Sequence, residues 1–229
     1  MKQAPVVCVD GPSGSGKGTL SRALARRLGW HFLDSGALYR LVAILAIRTE
    51  LSPEDPRQLA EVAERARGMR ARFLTKVNGD EQILLEDEDV TQLVRAEKTG
   101  NEASRYALQP EIRAALLDRQ RAFRQPPGLV ADGRDMGTVV FADAELKLYV
   151  TASAQERAKR RIFQLKQIGI DANIDKIFSE IEARDQRDST RQHSPLLPAA
   201  DAMTLDTTSM SAGAVLEEAL RIIRLRGLL

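Results

Sequence analysis

Cysteine is almost missing from this 229-residue chain, which has one, Cys8. A single thiol cannot close an internal disulfide, so packing must hold the fold. Cys8 lies in an apolar run, Val6-Val7-Cys8-Val9, where it is expected to pack as a small core residue in a reducing compartment. Histidine is nearly as scarce. Neither His31 nor His193 stands at a spacing from Cys8 that would suggest a metal site or a Cys–His nucleophile. Aromatic residues make up 4 % of the chain and form no stacking motif among basic residues. Charge of one sign is missing too: 34 Lys and Arg face 32 Asp and Glu. That balance argues against a chain built to coat nucleic acid or an anionic membrane. There is no long hydrophobic run. The first apolar stretch ends at Asp10, too short for a signal peptide or a membrane span. A cytoplasmic protein without membrane or nucleic-acid partners is expected, and a monomer.

What is present is enough apolar residue to bury a sizeable core, 43 % of the chain. The length suits one domain with insertions or two small ones. Of the basic residues 26 are Arg and eight are Lys. Arginine is the better fork for phosphate and carboxylate, although a GC-rich coding bias gives the same preference. The most informative segment is Gly11-Pro12-Ser13-Gly14-Ser15-Gly16-Lys17-Gly18-Thr19. It follows an apolar run and leads into a helical pattern, the context that a phosphate-binding loop requires. Glycines let successive N–H groups turn towards an anion, and the next helix adds its positive end. Lys17 supplies a mobile ammonium for the outer phosphates. Gly18 stands where Ser or Thr is usual, and the hydroxyl comes one residue later, at Thr19. A plain glycine-rich turn is the alternative, disfavoured by the flanking periodicities.

Leu20, Ala23, Leu24 and Leu28 share one helical face, and Gly29 is expected to end that helix. A helix is predicted from about Ala37 and another over Leu59–Met69. Residues 71–77 and 82–86 read as strands joined by an Asn78-Gly79 turn, which suggests an inserted subdomain. Asp87 to Gly100 is polar and carries no clear pattern. Pro110 opens a helix with Ile112, Leu116 and Phe123 inward. Leu129–Asp132, Leu146–Val150 and Met203–Asp206 read as buried parallel strands. Helices are predicted from Ala154 to Gln167, around Ile174–Ile181, and after a Ser211 cap. Strands alternating with helices imply an α/β fold with a parallel sheet and ligands at its carboxyl edge.

Three further groups could carry chemistry: Asp34-Ser35-Gly36 with Tyr39 and Arg40 on the following helix, Asp132-Gly133-Arg134-Asp135, and the basic helix Arg157–Arg161 with Arg184, Asp188 and Arg191. Asp132 ends a strand beside the glycine loop, the usual place for a carboxylate that holds Mg²⁺ through water; a helix cap or turn acid is the bland alternative. Arg134 and Asp135 follow, one fork and one acceptor for a substrate's phosphate and base, or a surface ion pair. Arg184, Asp188 and Arg191 share a stripe if their helix continues. Arg157, Arg160 and Arg161 crowd another helix. They form either a solvated face or a mobile cap whose arginines repel one another until a triphosphate arrives.

Taken together, these motifs resemble the bacterial cytidylate kinases, within the nucleoside monophosphate kinases, over essentially the whole chain. Gly16-Lys17-Gly18-Thr19 is similar to that group's form of the loop. Residues 33–40, 131–141, 156–161 and 184–188 resemble its acceptor-binding, strand-end, lid and ribose-binding segments. The resemblance implies a P-loop three-layer fold, a single kinase domain over 1–229 with a monophosphate-binding insert over 35–105 and a lid over 154–170. It implies transfer of the γ-phosphoryl of ATP to CMP or dCMP with Mg²⁺, or, as an alternative, to another small acceptor such as UMP. It implies Lys17, Arg157, Arg161 and Asp132 as catalytic, Gly11 to Thr19 as the ATP loop, and Thr19 with Asp132 at the metal. Ser35, Tyr39, Arg40, Ser104, Arg113, Arg134, Asp135, Arg184, Asp188 and Arg191 would bind the acceptor. Residues 96–100, Ala-Glu-Lys-Thr-Gly, depart from the group's usual Thr-x-Glu-Val pattern.

Overall fold

The computed structural model describes residues 3–75, 81–167, 169, 171 and 173–229. Two compact units form, one from the residues up to Asp34 with Arg121–Leu229, the other from Ser35–Gln120. The first unit begins with β1 (Val6–Asp10), buried at every residue. The unbroken aliphatic run is what a strand covered on both faces needs. The glycine loop follows, then α1 (Lys17–Leu28), whose buried face holds Leu20 and Leu24. Gly29 closes α1 in the left-handed region, φ 66°, with its N–H returned to the last turn. Next comes β2 (His31–Asp34).

The second unit starts without a linker. Its α2 (Ser35–Arg48) opens two residues before the sequence suggested. Nine of its side chains are buried, so it is a central helix rather than an amphipathic one. It packs against α3 (Pro56–Gly68) and two later helices. Asp55 caps α3 by accepting from the N–H groups of Arg57 and Gln58, and Pro56 takes the first helical position. β3 (Ala71–Thr75) pairs antiparallel with β4 (Glu81–Leu85), with Phe73 opposite Ile83. The expected Asn78-Gly79 turn lies outside the described residues. The unpatterned stretch after it resolves into β5 (Glu88–Asp89), α4 (Thr91–Arg95) and α5 (Glu97–Tyr106). α6 (Pro110–Arg121) follows, so Phe123 sits beyond its end and not on its inner face.

The first unit resumes with β6 (Leu129–Gly133) and a short π-helix, Met136–Val140. β7 (Leu146–Thr151), α7 (Ala154–Gln167), α8 (Ile174–Thr190), β8 (Met203–Asp206) and α9 (Ala212–Leu225) complete it. The five strands run parallel in the order β2-β6-β1-β7-β8. Val7, Val9, Leu148 and Val150 of the sheet meet Leu20 and Leu24 of α1 and Val215, Leu220 and Ile223 of α9 in one core. Cutting Leu24 to Ala there should cost about 2–5 kcal/mol. Cys8 is fully buried, and burial pushes its thiol well above the ordinary range, which suits packing rather than catalysis. Among the described residues, no helix is long and apolar enough to cross a membrane.

Candidate active site

β1 delivers the chain to the sheet's carboxyl edge, where the glycine loop turns it into α1. Gly11, Gly14 and Gly16 adopt φ of 152°, 77° and 90°. Gly11 has a second constraint: a Cβ there would lie 1.9 Å from the carbonyl oxygen of Val150. Three of the loop's carbonyls are tied off by side chains. Lys17 Nζ donates to Pro12 O (3.2 Å), Arg157 Nη1 to Ser13 O (3.0 Å), and Arg160 Nη1 and Thr207 Oγ1 to Ser15 O (3.3 and 2.9 Å). With these three carbonyls engaged and glycines at positive φ, the loop can turn N–H groups inward, the feature of an anion-binding nest. Thr19, one residue past Gly18, is exposed on the first turn of α1.

Asp132 stands beside this loop on β6. Its Oδ2 is 3.1 Å from where a Cβ on Gly18 would be, so the bare glycine leaves room for the carboxylate. Asp132 is 6 % exposed, and its Oδ1 has no hydrogen-bond partner among the described residues. Burial pushes the Asp132 carboxyl up, and the Lys17 ammonium opposes that. Burial pushes Lys17 down, Arg134 adds to the shift, and Asp132 resists it. Each group thus loses water on burial and regains part of that loss from the other's charge.

Arg134 donates from Nε to Asp188 Oδ2 at 3.0 Å, and both side chains are largely buried. Burial works to raise the Asp188 carboxyl, but Arg134, Arg184 and Arg191 outweigh it and hold the carboxyl below its usual range. Arg191 is not on the helical stripe drawn from the sequence. α8 ends at Thr190, and Arg191 is extended at φ −61°, ψ 139°, with its Nε donating to Ser194 O. Asp135 is buried between Arg134 and the π-helix.

α7 also differs from expectation. Arg157 and Arg160 are not left to repel each other. Arg157 is 4 % exposed, paired with Asp185 on α8 and bonded to Ala152 O. Arg160 pairs with Glu156 one turn away and donates to Thr207 O. Arg161 is half-buried on the same helix. Of the expected lid range, 168 and 170 lie outside the described residues.

In the other unit, Ser35 Oγ accepts from Gln120 Nε2 at 2.8 Å, both buried. The Arg113 guanidinium lies 5.7 Å from the Tyr39 ring centre, and its Nη1 donates to Ala107 O. Arg40 Nη1 donates to Val94 O and Ala96 O (2.7 and 3.0 Å). A Cβ on Gly100 would fall 2.7 Å from Arg40 Nη2. So the divergent stretch 96–100 is what receives this arginine. Ser104 is buried, and its Oγ has no partner among the described residues. The two sets of nominated residues thus occur as Tyr39–Arg113 and Arg40–Gly100 clusters in one unit and a Lys17–Asp132–Arg134–Asp188 cluster in the other.

The cytidylate kinase family profile matches residues 7–225. The chain belongs to that family. It is 51 % identical over 217 residues to the cytidylate kinase of Yersinia enterocolitica serotype O:8 / biotype 1B, spanning 95 % of this chain and 93 % of that one. The cytidylate kinase of Yersinia pestis (strain Pestoides F) matches with the same identity and coverage. As a member of the family the chain is a nucleotide-binding kinase.

Sequence reasoning missed four residues that shape these clusters. Asp185, Thr207 and Gln120 are polar residues whose partners are distant in sequence, and only folding reveals them. Asp10 carried a signal, an acid closing an apolar strand directly before the glycine loop.

Proposed function

We propose that the chain transfers the γ-phosphoryl group of ATP to CMP or dCMP, giving ADP and CDP or dCDP. The observation that carries this reading is the glycine loop, with the Pro12, Ser13 and Ser15 carbonyls engaged, beside a buried carboxylate with an unengaged oxygen, in a chain of the cytidylate kinase family. An oxygen of the acceptor's phosphate forms a bond to the γ-phosphorus. The bond from that phosphorus to the bridging oxygen breaks, and its electron pair leaves with ADP. No protein nucleophile is assigned, because the acceptor supplies one, and its phosphate is largely ionised at neutral pH. The protein's task is alignment and charge compensation.

Lys17 and the loop N–H groups of residues 11–19 would hold the donor's phosphates. Arg157 and Arg161 would offset charge as it shifts towards the leaving group. Asp132 Oδ1 and the Thr19 hydroxyl are hard oxygen donors of the kind Mg²⁺ prefers, and the carboxylate's free oxygen fits that use. When bound, the ion would offset negative charge on the donor phosphates. Arg40, Arg134 and Arg191 would hold the acceptor phosphate; Ser35, Tyr39, Ser104, Arg113, Asp135, Arg184 and Asp188 would hold its base and sugar. The reading includes residues 35–105 as the acceptor-binding insert, 154–170 as the lid, and a cytoplasmic monomer. Lid closure would exclude water that otherwise competes for the γ-phosphoryl.

The test is an ADP-release assay with CMP, dCMP, UMP and AMP as acceptors. Turnover with CMP and dCMP well above that with UMP and AMP is expected. ADP release that ignores CMP would overturn the reading.

A further inference from the structure

We propose that Asp10 is a positioning residue for the acceptor: its carboxylate fixes the turn that presents Arg134 and Asp135. This rests on the reading of those two residues as acceptor contacts.

Asp10 is the last residue of β1 and lies in register with Gly133, the last residue of β6. The chain beyond Asp10 turns into the glycine loop, while its side chain reaches towards the end of β6. Oδ1 accepts from the N–H of Met136 at 2.9 Å, and Oδ2 from the N–H of Gly137 at 2.8 Å. These are the first two N–H groups of the π-helix, which have no partner within it. Arg134 and Asp135 are the only residues between Gly133 and Met136. The backbone is therefore pinned on both sides of them, by the β1–β6 ladder before and by one carboxylate after.

The contact is close and made for an acceptor. A Cβ on Gly137 would lie 3.4 Å from Asp10 Oδ2 and 3.0 Å from Lys147 Cδ, so glycine lets the amide approach. Each oxygen of the Asp10 carboxyl accepts from one of these two donors. An asparagine would offer one acceptor and turn an NH₂ towards an N–H. Asp10 is 6 % exposed, and its hydrogen-bond partners among the described residues are these two N–H groups, with no cation. Burying a carboxylate without a cation is a costly way to cap five residues if stability is the only return. Fixing the direction of Arg134 and Asp135 gives the arrangement a purpose that an apolar side chain could not serve.

The experiment measures KM for CMP, KM for ATP, kcat and the thermal midpoint of Asp10→Asn, Asp10→Ala, Arg134→Ala and Val9→Ala. Val9 is a buried core neighbour on the same strand and controls for simple destabilisation. For Asp10→Asn, KM for CMP should rise at least about tenfold while KM for ATP stays within about threefold; Val9→Ala should leave both within about twofold. Asp10→Ala should follow the same pattern, and if it does not fold, the asparagine variant decides. An ATP effect as large as the CMP effect overturns the proposal, because Asp10 would then serve the donor loop. An unchanged CMP KM in Asp10→Asn, with a raised one in Arg134→Ala, overturns the role of Asp10 alone. An unchanged CMP KM in Arg134→Ala removes the acceptor reading beneath it. The same split in Val9→Ala shows that destabilisation suffices, and overturns the proposal.

Discussion

Arg157 on α7 and Asp185 on α8 meet through two parallel hydrogen bonds, Nη1 to Oδ1 at 3.0 Å and Nη2 to Oδ2 at 2.5 Å. The same guanidinium reaches Ser13 O in the glycine loop. One side chain therefore links two helices to the loop. Its head is almost wholly buried, so the pair cannot be broken without stranding a charge.

Asp185→Asn is expected to cost about 3 kcal/mol, because a buried arginine loses its counter-charge. Urea unfolding would measure it. Replacing both partners together, Arg157→Leu with Asp185→Leu, should recover most of the loss. A single variant as stable as the parent would show that water already compensates this arginine.

Lys17→Met should lower kcat about a thousandfold, on the scale of losing one transition-state charge partner. The thermal midpoint should barely move, since the ammonium's hydrogen bond to Pro12 O is a long one, 3.2 Å. Turnover and unfolding measured on the same preparation separate the two. Near-normal turnover would remove Lys17 from the phosphate site.

Asp135→Ala should lower kcat/KM for CMP at least about tenfold more than for UMP, since an unpaired buried polar group is a strong discriminator. Cytosine presents an amino donor where uracil presents a carbonyl, and a carboxylate accepts only from the first. KM for ATP should change little. Equal losses with both pyrimidines would place base selection elsewhere.

Stability should depend on pH through Asp10. Burial raises its carboxyl from 3.8 to about 7 in the fold, against two backbone hydrogen bonds that lower it. A raised acid binds its proton more tightly in the folded state than in the unfolded one. Its contribution is thus fully present below about pH 3.8 and is lost as pH rises through about 7. Relative to Asp10→Asn, the parent should lose up to about 4 kcal/mol between those limits, three pK units at 1.36 kcal/mol each. Denaturant midpoints at pH 4 and pH 8 would read this. A constant difference would mean that the carboxylate stays ionised throughout.

Apart from β2 and the π-helix, which the sequence reading did not assign, the strands and helices of the first unit were legible because their patterns are local. β1 and β6 are unbroken aliphatic runs, and α7 begins and ends where its periodicity does. The glycine loop was legible because its backbone demands glycine at particular positions. α4 and α5 were not, since Ala103, Ser104 and Thr99 are buried by tertiary packing and show no apolar stripe. Arginine partners were not legible either. A long, forked side chain chooses its acceptor in three dimensions, as Arg157 does with Asp185 and Arg40 with two carbonyls. Helical spacing placed Arg191 beside Asp188 on one stripe, but the backbone leaves the helix one residue too early.

The Ser15 carbonyl, held from one side by Thr207 and from another by Arg160, has a thermodynamic consequence. The backbone N–H of Thr207 donates to Thr151 O at the end of β7, so the loop is moored to the sheet by bonds that involve no nucleotide. A loop held by such ties gives up little conformational entropy when it closes around an anion. The heat released on binding should then report the phosphate contacts themselves, largely free of a folding contribution.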